Sequence, residues 1–333
     1  MPRHLLVLGA GSVGKRHMRN FVQLGCRVSA MDPRVDRLSE AEAEVPLSGR
    51  YSSLDEAQAA FPELDGVVVG SPTAYHVDQS IAALESGLPV YLEKPVSLSL
   101  TEALRLQNCV EKTQGRLLLG YTYRWWPPIR DLHRRVSSGE IGRVLHVRGL
   151  MSAHLADWHP WEPYQGFFMA HLDLGGGALL DESHLIDLMI TLFGVPRQVS
   201  ASVERISSLE IDADDNVDVL MRYEEGPRVW VHLDLYGRPH QREITLVGEQ
   251  GTLRWTMDPN RVRYSNAAAE EWQDTEYIYE RNHMFLAAAQ EFLDVLDGKA
   301  QPSCTIDDGV EVMRILEAMR VSSRSGSVVT IAP

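Results

Sequence analysis

Lys94 follows the apolar run Pro89–Leu92, inside the tripeptide Glu93-Lys94-Pro95. A lysine just past the carboxyl end of a buried strand stands where ligands bind in an open α/β sheet. Its ammonium would stabilise alkoxide character on a nearby oxygen, and a positioned amine exchanges protons with a hydroxyl. A solvated surface lysine is the plain alternative. Glu93, next to it, orients the amine or holds its charge. His184 lies three residues after Asp181 in Gly177–Phe193. That stretch reads as one helix, so the two side chains share a face. Imidazole exchanges protons near neutral pH, although a histidine satisfied within a core has the same sequence appearance.

These groups need elements to position them. Leu5–Leu8 is an apolar run that reads as a buried parallel strand, and Gly9, Gly11 and Gly14 follow it at G-x-G-x-x-G spacing. Val13–Leu24 then reads as a helix ending at Gly25. Strand, glycine turn and helix in that order make a dinucleotide site. Gly9 permits the tight turn, Gly11 leaves room for a pyrophosphate, and Gly14 lets helix and strand pack closely. The helix start at Ser12 and Val13 offers N–H groups and a positive dipole end to phosphate. Asp32 ends the next strand. An acid there accepts from a ribose 2′-hydroxyl and repels a 2′-phosphate, which favours NAD over NADP. Arg34, two residues on, is able to pair with a 2′-phosphate, and Asp before Pro33 also starts turns.

Strand and helix patterns alternate through residue 124, the signature of a parallel sheet covered on both faces. From Trp125-Trp126-Pro127-Pro128 onward, strand-like runs with short links predominate, which implies a largely antiparallel sheet. The expected architecture is therefore an α/β chain: a dinucleotide-binding domain over 1–124 and an α+β domain over 125–333 that binds substrate and oligomerises, its last strand at 327–331. One face of that second sheet lacks a cover, and a partner subunit, in a homodimer or homotetramer, is the economical one.

Bulk properties narrow the classes. The chain has 333 residues, 44% hydrophobic and 23% charged, and a formal net charge of −14. That balance disfavours nucleic-acid or anionic-membrane binding through bulk charge. Three scattered cysteines suit a reducing cytoplasm better than a disulfide framework. The first strand begins too early to leave room for a signal peptide, and no apolar run reaches bilayer-spanning length. His154, His159, His171 and His184 with Asp157 and Asp173 match no metal-ligand spacing, so no metal is expected.

Further motifs carry a family resemblance: Ser71-Pro72-Thr73 with His76, Glu93-Lys94-Pro95, Tyr123-Arg124, Gly139-Glu140-Ile141-Gly142, Gly175–Asp181 and His184–Asp187. In this order they resemble the glucose–fructose oxidoreductase/inositol dehydrogenase (Gfo/Idh/MocA) family. The resemblance implies an NAD(P)-dependent oxidoreductase acting on a sugar-like small molecule. It implies that His184 accepts the proton, that Asp181 touches substrate hydroxyls, and that Ser71, Pro72, Thr73, His76, Glu93 and Lys94 lie by the cofactor. Tyr123 and Arg124 fall to the substrate side. The family commonly has three residues between the aspartate and the histidine; here only Glu182 and Ser183 intervene. Either the helix begins differently or Asp181 is displaced. Asp187 is expected to hold structure rather than do chemistry.

The segment His154–Phe168 is a long loop rich in aromatics and carboxylates. Trp158, His159 and Tyr164 in it suit the faces and hydroxyls of a sugar, and the same aromatics could pack as a local core. The expected reaction is hydride transfer between a secondary hydroxyl of a sugar, cyclitol or nucleotide-sugar and NAD. An NAD-dependent glycosidase using transient oxidation, and a non-catalytic nucleotide-binding regulator, are the alternatives within the same family.

Overall fold

Apolar side chains on both faces of a strand demand cover on both sides, and Leu5–Leu8 have none of their surface exposed. The computed structural model describes residues 2–158, 163–268 and 271–331. In it this run forms β1 (His4–Leu8). Five more strands join it in one parallel sheet: β2 (Arg27–Met31), β3 (Arg50–Tyr51), β4 (Gly66–Val69), β5 (Val90–Glu93) and β6 (Leu117–Gly120). Their order is β3-β2-β1-β4-β5-β6. The connections are α1 (Ser12–Gln23), α2 (Val35–Glu44), α3 (Leu54–Gln58), α4 (His76–Glu85) and α5 (Leu100–Thr113). The order reverses direction between β1 and β4, which is where such sheets open a crevice for ligands at their carboxyl ends.

The backbone packs as two units, Met1–Thr122 with Arg281–Met313 and Tyr123–Glu280 with Arg314–Pro333. The division read from sequence had put all of 125–333 together. Segment 281–313 packs with the first unit because its apolar side chains find partners there. On α9 (Asn282–Leu296), Phe292 meets Tyr91 edge-on at 5.8 Å and Phe21 at 6.2 Å. Asn282 donates to Asn20 at 2.8 Å, and Leu119 N donates to the Cys304 carbonyl at 2.9 Å.

The second unit begins with α6 (Pro127–Ser137), whose two prolines occupy first-turn positions where no N–H is missed. Its sheet has nine strands: β7 (Val144–Ser152), β8 (Gln198–Glu204), β9 (Asn216–Arg222), β10 (Arg228–Asp234), β11 (Gln241–Gly248), β12 (Gly251–Met257), β13 (Asn260–Asn266), β14 (Gln273–Glu276) and β15 (Val329–Thr330). All neighbours are antiparallel except β7 and β10. One face is apolar: Val219, Val231, Ile244, Trp255 and Val262 lie in one paired row and are almost wholly buried. Gly149 belongs to that row, and its missing side chain admits Leu185, which would stand 3.1 Å from a Cβ there.

The stretch Gly177–Phe193 is not one helix. It divides into α7 (Ala178–Asp181) and α8 (His184–Phe193). Glu182 leaves helical geometry and is buried, 3.8 Å from Arg242, and Ser183 Oγ donates to the Leu180 carbonyl at 2.8 Å. The last helix, α10, runs Ile306–Ser325. Among the described residues, no helix is long and apolar enough to cross a membrane.

Candidate active site

In the first unit two of the three motif glycines follow from steric necessity. A Cβ on Gly14 would lie 1.8 Å from the Gly9 carbonyl oxygen, and Gly9 itself has φ +92° with Ser71 backbone atoms 2.7 Å from its would-be Cβ. Gly11 differs: a Cβ there meets only Arg37 Nη1, at 3.7 Å. No protein atom therefore requires glycine at position 11. Gly11 also precedes α1 without a side-chain cap, whereas Ser53 and Ser99 cap α3 and α5 through their hydroxyls. The first-turn N–H groups of a helix have no intrahelical acceptor, so an uncapped start beside open space fits the phosphates of a dinucleotide.

Asp32 is 4% exposed and holds this loop. Its Oδ2 accepts from Ala10 N at 2.8 Å and its Oδ1 from Arg34 N at 2.9 Å. Each carboxylate oxygen keeps a further lone pair for a ribose hydroxyl. The Arg34 guanidinium turns to Asp36, at 2.5 Å, and is exposed. Arg37, near Gly11, is the cation that sequence reading passed over; its signal was only its place on the helix after Asp32.

At the carboxyl ends of β4 and β5 a second group forms. Ser71 Oγ donates to Gln79 Oε1 at 2.7 Å. Pro72 and Thr73 carry the chain into α4. His76 is 1% exposed, with Nδ1 2.8 Å from the Pro95 carbonyl oxygen and Nε2 3.0 Å from that of Ser71. Burial keeps this imidazole below the usual histidine range despite both carbonyls. His76 thus ties the end of β4 to the turn after β5. Lys94 follows β5 directly, and the Lys94–Pro95 peptide is cis. Glu93 accepts from His17 at 2.7 Å, a partner the sequence reading missed although His17 stands three residues beyond Gly14 on the inward side of α1.

The second unit carries its own set. His184 opens α8 and stacks on Tyr123, centroids 4.6 Å apart at 17°. Tyr123 is 2% exposed and also meets Trp255 edge-on at 6.0 Å. Arg242, likewise unanticipated, is buried; desolvation opposes its charge most, but Tyr123, Glu182 and Asp181 hold it firmly protonated. Asp181 ends α7, so it and His184 flank a turn rather than share a helical face. Arg124 is engaged by the fully buried Asp187, with Nε 3.0 Å and Nη2 2.6 Å from its carboxylate oxygens. This pair ties Arg124, next to Tyr123, to α8.

On either side of the undescribed residues 159–162, the aromatic segment forms short 3₁₀ turns at Leu155–Asp157, Tyr164–Gly166 and Phe168–Ala170. Trp158 is half-buried, and Asp157 pairs with Arg238 at 2.7 Å. The Tyr164 hydroxyl accepts from Glu210 N at 3.1 Å. His159, with Trp161 and Glu162, lies outside the described residues. Among the described residues no His, Cys, Asp and Glu cluster suited to a metal occurs.

Residues 3–121 match the model of the oxidoreductase family with an NAD-binding Rossmann fold, and residues 129–254 match the GFO/IDH/MocA C-terminal domain. The chain belongs to the GFO/IDH/MocA oxidoreductase family. An inositol 2-dehydrogenase of Acidiphilium cryptum is 29% identical over 98% of this chain and 96% of its own length. A scyllo-inositol 2-dehydrogenase (NAD(+)) of Bacillus subtilis is 31% identical over 43% of this chain and 42% of its own. A D-xylose 1-dehydrogenase (NADP(+)) of Haloferax volcanii is 24% identical over 98% of both. Among solved structures, a levoglucosan dehydrogenase in complex with NADH superposes with a TM-score of 0.89 at 17% identity, covering all of both chains. At that identity the likeness is one of fold, and it places this GFO/IDH/MocA chain's pair of sheets among known members.

Proposed function

We propose that this chain is an NAD-dependent dehydrogenase that oxidises a secondary hydroxyl of a cyclitol or sugar. The observation that carries the reading is Lys94, placed by β5 next to a buried carboxylate at the carboxyl end of a sheet with dinucleotide-binding strand order. Bound nicotinamide supplies the hydride acceptor. Lys94 stabilises the hydroxyl oxygen as its proton leaves. The family resemblance assigns proton acceptance to His184 and contact with substrate hydroxyls to Asp181. Full-length likeness to inositol 2-dehydrogenases supports the substrate class.

Asp32 supports NAD over NADP, because a buried carboxylate repels a 2′-phosphate and the nearest sequence cation, Arg34, is paired with Asp36. The second unit's sheet supports a homodimer or homotetramer: one face bears Asp218, Trp230, His232 and Leu220, the last 54% exposed. Cys26, Cys109 and Cys304 are buried thiols, in keeping with a reducing cytoplasm.

Absorbance at the NADH band tests the reading, with NAD⁺ and a panel of myo-inositol, scyllo-inositol, glucose, xylose and levoglucosan. NADH accumulating in step with substrate supports a dehydrogenase. Glycoside cleavage with no net NADH would replace it with the redox-assisted glycosidase.

A further inference from the structure

Behind the Glu93-Lys94-Pro95 turn lies a buried polar pair in an aromatic wall. His17 has no exposed surface, and Glu93 is 7% exposed. The imidazole meets Tyr91 edge-on at 4.9 Å, with Phe21 and Phe285 at 6.3 Å. Its Nε2 is 2.7 Å from Glu93 Oε1, and its Nδ1 has no hydrogen-bond partner. A buried N–H left unmet costs about 1–3 kcal/mol. The wall therefore favours the tautomer protonated on Nε2, in which His17 donates to the carboxylate.

A buried polar pair of this kind can be replaced by well-packed apolar residues at little cost to stability, so packing alone does not account for it. The carboxylate it holds immediately precedes Lys94. Burial works most strongly against ionising Glu93, but the His17 hydrogen bond and the neighbouring Lys94 ammonium keep it below the usual carboxylate range. The groups facing it are Arg16 and His17 from α1, His76 from α4, and Lys94 beyond β5. Tyr91, on its own strand, is held neutral by burial. Removing the donor leaves a buried carboxylate that takes up a proton or turns away, and Lys94 loses its neighbouring negative charge.

We propose that His17 is a positioning residue of this site, holding the Glu93 carboxylate in place beside Lys94. The functional weight of the proposal rests on the reading of Lys94 as a reaction group.

The chain has four lysines, Lys15, Lys94, Lys112 and Lys299, so ¹³C-dimethylation of the intact protein gives a spectrum in which each can be assigned by single substitution. Lys94 is then titrated without any substrate. In His17→Phe and in Glu93→Gln, Lys94 should titrate about one pH unit lower than in the wild type. In His17→Gln, whose amide can donate to Glu93, most of that shift should disappear, and Lys15 and Lys299 should not move. His17→Met stands in if the Phe variant does not fold, and Glu93→Gln probes the same link from the other side. An unchanged Lys94 titration in the folded Phe or Met variant, or in Glu93→Gln, overturns the proposal. Activity of Lys94→Met is measured separately: if it is undiminished, the reading of Lys94 fails, whatever the titrations show about His17.

Discussion

The His184 imidazole lies nearly flat on the Tyr123 ring, their centroids 4.6 Å apart. Tyr123 is fixed in turn by Trp255 and by a hydrogen bond with Arg242. An imidazole held this way keeps one orientation, as the proposed proton acceptor requires. His184→Asn should lower kcat by about 10²–10⁴-fold while leaving NADH affinity unchanged. Tyr123→Leu keeps the base but loosens it, for a loss of roughly 10–100-fold. Steady-state kinetics with a parallel NADH titration separates these effects, and wild-type kcat in His184→Asn would remove that residue from the reaction.

The glycine loop separates folding from binding. Gly14→Ala drives a methyl group into the Gly9 carbonyl, where contact at 1.8 Å forces backbone movement. It should cost about 1–3 kcal/mol of stability or more. Gly11→Ala meets only the Arg37 guanidinium at 3.7 Å, so stability should hold while NADH binding weakens. Thermal melts and fluorescence titration of both variants check the contrast; equal melting losses would contradict it.

Asp32 has two tasks. Asp32→Ala strips the acceptors from Ala10 N and Arg34 N, which should lower stability by about 1–3 kcal/mol. It also removes the charge that opposes a 2′-phosphate, so the ratio of kcat/KM for NAD⁺ over NADP⁺ should fall. Denaturant unfolding reads the first effect and cofactor kinetics the second. An unchanged cofactor ratio would confine Asp32 to the turn.

On the second sheet, His232 bridges two carboxylates, with Nδ1 2.9 Å from Asp218 and Nε2 3.1 Å from Asp234. The Asp234 hydrogen bond, followed after opposing burial by that of Asp218, raises its pKa. A histidine that binds its proton more tightly when folded stabilises fully below its unfolded value of about 6.5 and loses that contribution as pH rises through the folded value. Denaturation midpoints should therefore decline as pH rises above about 6.5, and His232→Gln should flatten the decline. A slope unaffected by the substitution would assign it to other groups.

The first sheet was legible because buried parallel strands are written as apolar runs such as Leu5–Leu8 and Val67–Val69. β13 and β14 were not, since Asn260–Asn266 and Gln273–Glu276 are mostly polar and only Val262 among them is buried. The break at Glu182 escaped notice because helical spacing carries on across it, while Glu182 faces an arginine distant in sequence, Arg242. His17 and Arg242 were missed for the same reason: their partners, Glu93 and Tyr123, lie far along the chain. Spacing motifs reveal side chains that share one element, and these pairs join two.

The central claim is that Lys94 takes part in the reaction rather than merely ending a strand. The direct test is kcat for polyol oxidation by Lys94→Met, measured on the substrate that gives NADH with the wild-type enzyme, alongside NADH affinity. The account predicts a loss of about 10²–10⁴-fold in kcat with NADH still bound. Full activity in the folded variant would contradict it.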